Sequence, residues 1–317
     1  MQAHEFLEGF LPLQNPPNYQ LVCDELSRLY AFTRARSTVE AYVKKHLPHL
    51  IPTTPKKPRI FRRFRRAKVG ELWQHDSSIH QWWPDSSKQT LLLTVDDCSG
   101  ANVAGSFVPS DTTWAHFQHF RKAFELHGIP EAIYTDALSL FGPSSSGDRR
   151  DPRSEFQRAL RALDIAHLVA PTPQAKGKIE RRFGTFQGRL LTLLAHAGVT
   201  SYLQAEPILQ MEIARLNQAH SRSTGQIPDL ICQQAQIKNL LALRPCPPSS
   251  LLDLHLSLRC TRKVNNDHTI EFDGRSFQIA PTLRKFVHIV FHPNLRFWAL
   301  DGPPTLRWSP VLGAFTL

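Results

Sequence analysis

Asp76 interrupts an apolar-rich run, Leu72-Trp73-Gln74-His75-Asp76-Ser77-Ser78, and Asp136 terminates another, Ile133-Tyr134-Thr135-Asp136. Glu180 sits in Gln174-Ala175-Lys176-Gly177-Lys178-Ile179-Glu180-Arg181-Arg182 and is the only acid between Asp164 and Glu206. Carboxylates at strand ends and on a facing helix, in acid-poor surroundings, are the donors that hard divalent ions take. Two such ions about 3.5–4 Å apart supply what phosphodiester cleavage and transfer need: an in-line nucleophile, a stabilised leaving oxygen and neutralised charge on phosphorus. Taken singly, Glu180 reads as a surface acid paired with a neighbouring Arg or Lys, and Asp136 as a turn residue.

Other chemical groups compete for attention. Asp96 and Asp97 are adjacent, so they project to opposite faces of a strand and at most one could join Asp76; a structural role is expected. His80 could shuttle a proton, with a plain surface histidine as the simpler expectation. Trp82 and Trp83 could stack on bases, although an aromatic pair ending a strand is expected to pack in the core or at its rim. His116 and His119 stand three apart in a predicted helix and could share a face as metal ligands. No further ligand stands near them in sequence, so a solvated helix surface is expected.

The elements that must position the three carboxylates follow from periodicity. Residues 72–83, 90–96 and 101–108 are consecutive β-type runs joined by short turns. Asp111-Thr112-Thr113 caps an amphipathic helix through His127, ended by Gly128 and Pro130. A short strand, 132–135, leads to Asp136, and a loop rich in Ser, Gly and Arg spans 143–153. Then come a helix over 154–163, a strand over 166–170 and a long helix from about Ala175. In that helix Ile179, Phe183, Phe186, Leu190, Leu193 and Ala197 recur at three and four and pack on the sheet, with Glu180 beside the stripe. Lys176, Lys178 and Arg181, with Gln187, would line the same groove as DNA-facing groups. The helix 202–220 closes the core. The predicted class is α/β, a ribonuclease-H-like mixed sheet flanked by helices; fold order alone does not establish function.

Outside this core, residues 1–51 form a small helical unit, a possible partial helix-turn-helix in which Ser37 and Glu40 form a capping box. Residues 52–69 are a basic linker carrying Lys56, Lys57, Arg59, Arg62, Arg63, Arg65, Arg66 and Lys68. If all eight cations met phosphates, affinity would fall with salt at a log-log slope of roughly −7. Residues 70–243 are the core, 244–254 a linker that breaks regular structure, and 255–317 a small β-barrel with turns at Asp273-Gly274, Pro293-Asn294 and Asp301-Gly302.

Composition agrees with a polyanionic partner. The 317 residues hold 38 Lys and Arg against 27 Asp and Glu, a formal charge of +11. The five cysteines are odd in number and form no Cys-x-x-Cys pair, so neither a disulfide framework nor a cysteine zinc site is expected. There is no run of 18 apolar residues, no lipidation signal and no secretory signal, which predicts a cytoplasmic protein, nucleoid-associated in a prokaryote.

The three acid-bearing strings, Trp73 to Trp83, Tyr134-Thr135-Asp136 and Pro173 to Arg181, together resemble the catalytic core of insertion-sequence DDE transposases, relatives of retroviral-type integrases. The likeness spans residues 70–220 and extends more weakly to Arg262–Ile270 and Phe272–Arg275. The resemblance implies two Mg²⁺ or Mn²⁺ ions held by Asp76, Asp136 and Glu180, nicking at element ends, and attack of the freed 3′-hydroxyl on target DNA. It also implies double-stranded DNA as partner, with a homo-oligomer needed to hold two ends. Two alternatives stay open: a related nuclease that cuts without joining, and a catalytically decayed transposase-derived DNA-binding protein.

Overall fold

Every residue of the strand Gln89–Asp96 is buried, from Leu91, Leu92 and Leu93 to Thr94, so both of its faces must be covered. That is the mark of a strand in the middle layer of a three-layer sandwich. The computed structural model describes residues 2–14, 17–51, 65–84, 87–136, 154–170, 177–272, 274–292, 296–300 and 311–316. The strands β1 (Trp73–His80), β2 (Gln89–Asp96), β3 (Asn102–Val108), β4 (Ala132–Thr135) and β5 (Ala166–Val169) make one sheet in the order β3-β2-β1-β4-β5. The first three strands pair antiparallel, whereas β1–β4 and β4–β5 are parallel. Parallel neighbours need crossovers, which helices α4 (Thr113–His127) and α5 (Glu155–Ala162) provide. The expected ribonuclease-H-like mixed sheet is the observed one.

Two cores lie on the two faces. Trp73 packs with Phe117, Phe120 and Phe124 of α4 and Phe156 of α5. Leu91, Leu93 and Val95 pack instead with Ile179, Phe183 and Phe186 of α6 (Gly177–His196) and Leu209 of α7 (Tyr202–Gln218). Each such side chain contributes roughly 1.5–3 kcal/mol on full burial. Local signals set the helix ends: the Thr112 side chain accepts from the Ala115 amide, and Ser154 and Gln157 form a capping box. Gly128 ends α4 at φ 88°, and a Cβ there would press on the Arg244 carbonyl oxygen. Across that contact Ile129 and Arg244 exchange backbone hydrogen bonds of 2.8 Å each.

The N-terminal unit comprises α1 (Gln2–Phe10), α2 (Tyr19–Tyr30) and α3 (Arg36–His46). Phe10, Leu21, Leu26 and Val43 bury against Leu193 of α6. Arg189 on α6 pairs with Asp24 at 2.9 Å, so the unit is docked on the core. The predicted capping box at Ser37 does not form. The helix starts two residues earlier than that box requires, with Ala35 as an extended N-cap lacking a side-chain bond, and Glu40 pairs with Lys44 at 2.7 Å instead.

Two further helices, α8 (Pro228–Ile237) and α9 (Ser249–His255), precede the last strands; Leu252 and Leu256 enter the α4-side core. The C-terminal region differs from the expected barrel. Strands β6 (Leu258–Lys263), β9 (Phe286–His292), β10 (Arg296–Leu300) and β11 (Val311–Thr316) form an open sheet, β11-β10-β9-β6, and β7 (Thr269–Phe272) with β8 (Arg275–Gln278) a separate hairpin. Closure would require β6 and β11 to pair; among the described residues they remain opposite edges, and Ile270 and Phe272 cover Val287 and Ile289 from the hairpin. No helix among the described residues is long and apolar enough to cross a membrane.

Candidate active site

Alternation along β1 sorts its side chains between the two layers. Trp73 stacks on Phe124, His75 bonds His116, and Ser77 Oγ donates to Asp111 Oδ2 at 2.6 Å, so the odd positions face α4. The even positions face α6. Gln74, Asp76 and Ser78 stand opposite Val95, Leu93 and Leu91 of β2, all three packed in the α6-side core. Gln187 of α6 donates to Ser78 Oγ at 3.4 Å, and Lys178 and Gln74 share Asp97 Oδ1 at 2.5 and 2.6 Å. Asp76, half-buried between them, takes the Ser77 amide on Oδ1 at 2.9 Å.

The parallel ladder then relates Asp76 to Asp136. Trp73 pairs with Ile133 and Gln74 with Tyr134. Carried on by two residues, that register sets Asp136, just past β4, level with Asp76 at about one strand spacing, ~4.8 Å. Glu180 lies in the first turn of α6, exposed, between buried Ile179 and Phe183. It precedes Gln187 by about two turns and so shares that side of the helix. Carboxylate oxygens are the donors Mg²⁺ and Mn²⁺ take, and an adjoining Asp pair with an acid on the helix across the same face fits them chemically. Among the described residues no three His, Cys, Asp or Glu side chains are gathered as a metal cage. Segments 137–153 and 171–176, which adjoin Asp136 and Glu180, lie outside the described residues, and with them the predicted Ser/Gly/Arg loop.

The rival acids are structural, as expected. Asp96 accepts from the Ser99 amide and hydroxyl at 2.7 Å each and from the Gly70 amide at 2.8 Å, locking the β2–β3 turn; burial pushes its carboxyl up against those bonds. Asp97 takes the Arg66 amide at 2.8 Å besides Gln74 and Lys178.

No protein-family model matches the chain. A candidate transposase, y4bF, of Sinorhizobium fredii is 30% identical over 214 residues, covering 66% of this chain and 46% of that protein. The transposase for insertion sequence IS1202 of Streptococcus pneumoniae is 28% identical over 217 residues, 67% of this chain and 43% of its own length. The chain is a homologue of insertion-sequence transposases. It spans less than half the length of these curated relatives. Among solved structures, the magnesium-bound catalytic core of HTLV-2 integrase is 23% identical with a TM-score of 0.42, covering 53% of this chain and 99% of that one.

In this transposase homologue the far side of β1 holds a feature that sequence reasoning misjudged. His116 and His119 are not solvated: they are 0% and 1% exposed. They occupy the α4 stripe of Phe117, Phe120 and Phe124, and β1–β3 supply their partners. His75 Nε2 meets His116 Nδ1 at 2.7 Å, His75 Nδ1 meets Thr94 Oγ1 at 2.9 Å, Thr94 Oγ1 meets His119 Nε2 at 2.7 Å, and His119 Nδ1 meets Ser106 Oγ at 3.0 Å. At the other end His116 Nε2 lies 2.5 Å from Asp111 Oδ1. An ionised carboxylate only accepts, so assigning protons from Asp111 outward gives one consistent pattern. In that pattern Ser106, His119, Thr94, His75 and His116 donate in turn toward Asp111. Burial drives His119 down to about 3, consistent with a neutral ring. Burial alone would raise the Asp111 carboxyl; the His116 and Ser77 bonds outweigh it and leave it below the usual range. The overlooked signal was position: His116 stands four before Phe120 and His119 four before Ala123, both on the buried stripe of α4.

The remaining predicted residues divide. Trp82 and Trp83 are core, 0% and 3% exposed against Phe107. His80 Nδ1 donates to the Gln81 carbonyl at the surface. Arg65 donates to the carbonyls of Asp97 and Cys98 and to Ser223 Oγ, Arg66 pairs with Glu71 at 3.3 Å, and Lys68 is exposed. Arg181, exposed on α6, donates to the Gly177 carbonyl at 2.7 Å. Lys56, Lys57, Arg59, Arg62, Arg63 and Lys176 lie outside the described residues.

Proposed function

We propose that this chain is a DDE-type DNA transposase, a polynucleotidyl transferase in which Asp76, Asp136 and Glu180 hold two divalent ions, Mg²⁺ or Mn²⁺. Its reactions are nicking at element ends and joining of the freed 3′-hydroxyl to target DNA. The reading is supported above all by the β1–β4 register, which brings Asp136 level with Asp76 in a homologue of insertion-sequence transposases. Bound metal supplies charge neutralisation at phosphorus and a lower pKa for the attacking hydroxyl or water. The protein's own groups position the rest. Ser77 orients the Asp76 carboxylate through its amide, and the shared Asp97 oxygen ties Lys178 to Gln74 two residues from the site. Arg181 and the cations of residues 56–68 neutralise DNA phosphates. The partner is double-stranded DNA, at element ends and at the target. Holding two ends requires at least two protomers, so the working form is a homo-oligomer on DNA.

The test is incubation of purified protein with Mn²⁺ or Mg²⁺ and labelled DNA from the flanks of its own gene. Wild type is compared with Asp76→Asn, Asp136→Asn and Glu180→Gln. Nicked and joined products that vanish in all three variants are expected. Tight binding by wild type, with no more product than the three substituted proteins give, would replace this reading with that of a transposase-derived DNA-binding protein. Light scattering on paired-end DNA should give a mass of two or more chains.

A further inference from the structure

A cleft of about 680 Å³ opens on the α6 side of the sheet, walled by the N-terminal helices at Asn18 and Arg36, the β2–β3 turn, the start of α6 and the loop after α7. Its lining is strongly basic. Lys178 is paired with Asp97, and Arg189 and Arg215 with Asp24 and Glu212. Arg36, Arg65, Arg181, Arg182 and Arg222 also line it, and among the described residues none of these five pairs with a carboxylate.

Two of the five converge. Arg65 donates to the carbonyls of Asp97 and Cys98, and Arg182 to that of Gly100. A Cβ on Gly100 would lie 3.5 Å from Arg65 Nη1 and 3.6 Å from Arg182 Nη2, so both guanidiniums are pinned at the same turn. Burial, with the neighbouring Arg65 charge, lowers Arg182 to about 10, which leaves it charged at neutral pH. Two like charges fixed side by side in a cleft are costly, and an anion bridging them reverses the sign of that cost. No Phe, Tyr or Trp lines the cleft among the described residues, so nothing there offers the stacking platform that single strands use.

We propose that this cleft seats the phosphate backbone of duplex DNA, gripped between the N-terminal helical unit and the sheet, apart from the three carboxylates and without reading bases. The choice of DNA as the phosphate source rests on the transposase reading; the cleft's anion chemistry does not. Backbone contacts of this kind fix orientation and carry no sequence information.

The test is binding of the full chain to a labelled random-sequence duplex in EDTA, where no cleavage chemistry interferes, as a function of salt. Removing one phosphate contact reduces the log-log slope by about 0.9. The exposed pair Arg36→Gln with Arg222→Gln should lower it by about 1.8, and adding Arg65→Gln by about 2.7. A control of equal charge on other surfaces, Lys122→Gln, Arg161→Gln and Lys238→Gln, should leave the slope within about 0.5 of wild type. The exposed pair guards against a folding defect at Arg65, with thermal melting checked for each variant. Single-stranded DNA of the same length should bind more weakly than duplex. An unchanged slope in the cleft variants, or an equal reduction in the control, overturns the cleft while leaving the nicking assay to judge the transposase reading. Wild type that ignores duplex but binds pyrophosphate through the same arginines overturns the duplex seat in favour of a small phosphate ligand.

Discussion

The two faces of β1 are made by one eight-residue strand and have opposite characters. Toward α4, His75 and Ser77 join a buried chain of hydrogen-bonded groups that ends on one carboxylate. Toward α6, Gln74 borders the charged groups of an open cleft, Ser78 accepts from Gln187, and Asp76 lies half-buried between them. In the proposed transposase chemistry this contrast would hold the Asp76 carboxylate steady, because the rigid face pins the backbone at 75 and 77. Buried polar networks of this sort are favourable only when complete, because any orphaned member forfeits its full desolvation cost.

The largest expected effect separates the faces outright. Asp76→Asn should reduce DNA nicking by at least about 10³-fold while leaving the urea midpoint nearly unchanged. An equally active variant would remove Asp76 from the chemistry. On the other face, His116→Ala should cost about 2–4 kcal/mol in urea unfolding, since it opens a cavity and removes the bonds that His116 makes to His75 Nε2 and Asp111 Oδ1. A change under about 0.5 kcal/mol would show that the chain is not a lock.

Acidity should act through the same face. His119 is held at about 3 when folded, below its ordinary 6.5, so the unfolded chain binds the extra proton between those values. Stability from His119 is therefore present above pH 6.5 and falls as pH drops toward about 3, at up to about 1.4 kcal/mol per pH unit. Asp111, lowered in the folded state, adds to the destabilisation at the acid end. In His119→Gln the pH dependence of the urea midpoint should flatten between pH 6 and 4, with His255, lowered to about 4 by burial and Arg259, still contributing. An unaltered profile would assign the acid sensitivity elsewhere. The smallest effect belongs to the α6 face: Gln187→Ala breaks only the long 3.4 Å bond to Ser78 and should change stability by less than about 0.5 kcal/mol.

Element order was legible because it rests on local signals, and the same signals nominated the three carboxylates of the proposed site. The period-two runs around Asp76, the Asp after a short apolar strand and the Ile179–Phe183–Phe186 stripe beside Glu180 are carried within a few residues each. The Thr112 cap and the Gly128 stop are equally local. Where local signals were ambiguous the expectation slipped: a two-residue shift of a helix start dissolved the Ser37 capping box, and hairpin-like turns near the C-terminus did not say whether β6 and β11 would meet.

What the sequence alone determined is thus which residue types stand at strand ends and on helix stripes, since backbone periodicity ties position to face. Only the tertiary structure decided what each face meets. His116 became an interior group because Asp111 and His75, 5 and 41 residues away, satisfy its ring. Arg36, Arg182 and Arg222 became walls of one cleft because the N-terminal helices dock on α6 and the loop after α7 closes over the β2–β3 turn. Burial and charge proximity are sums over neighbours distant in the chain, and no local period encodes them.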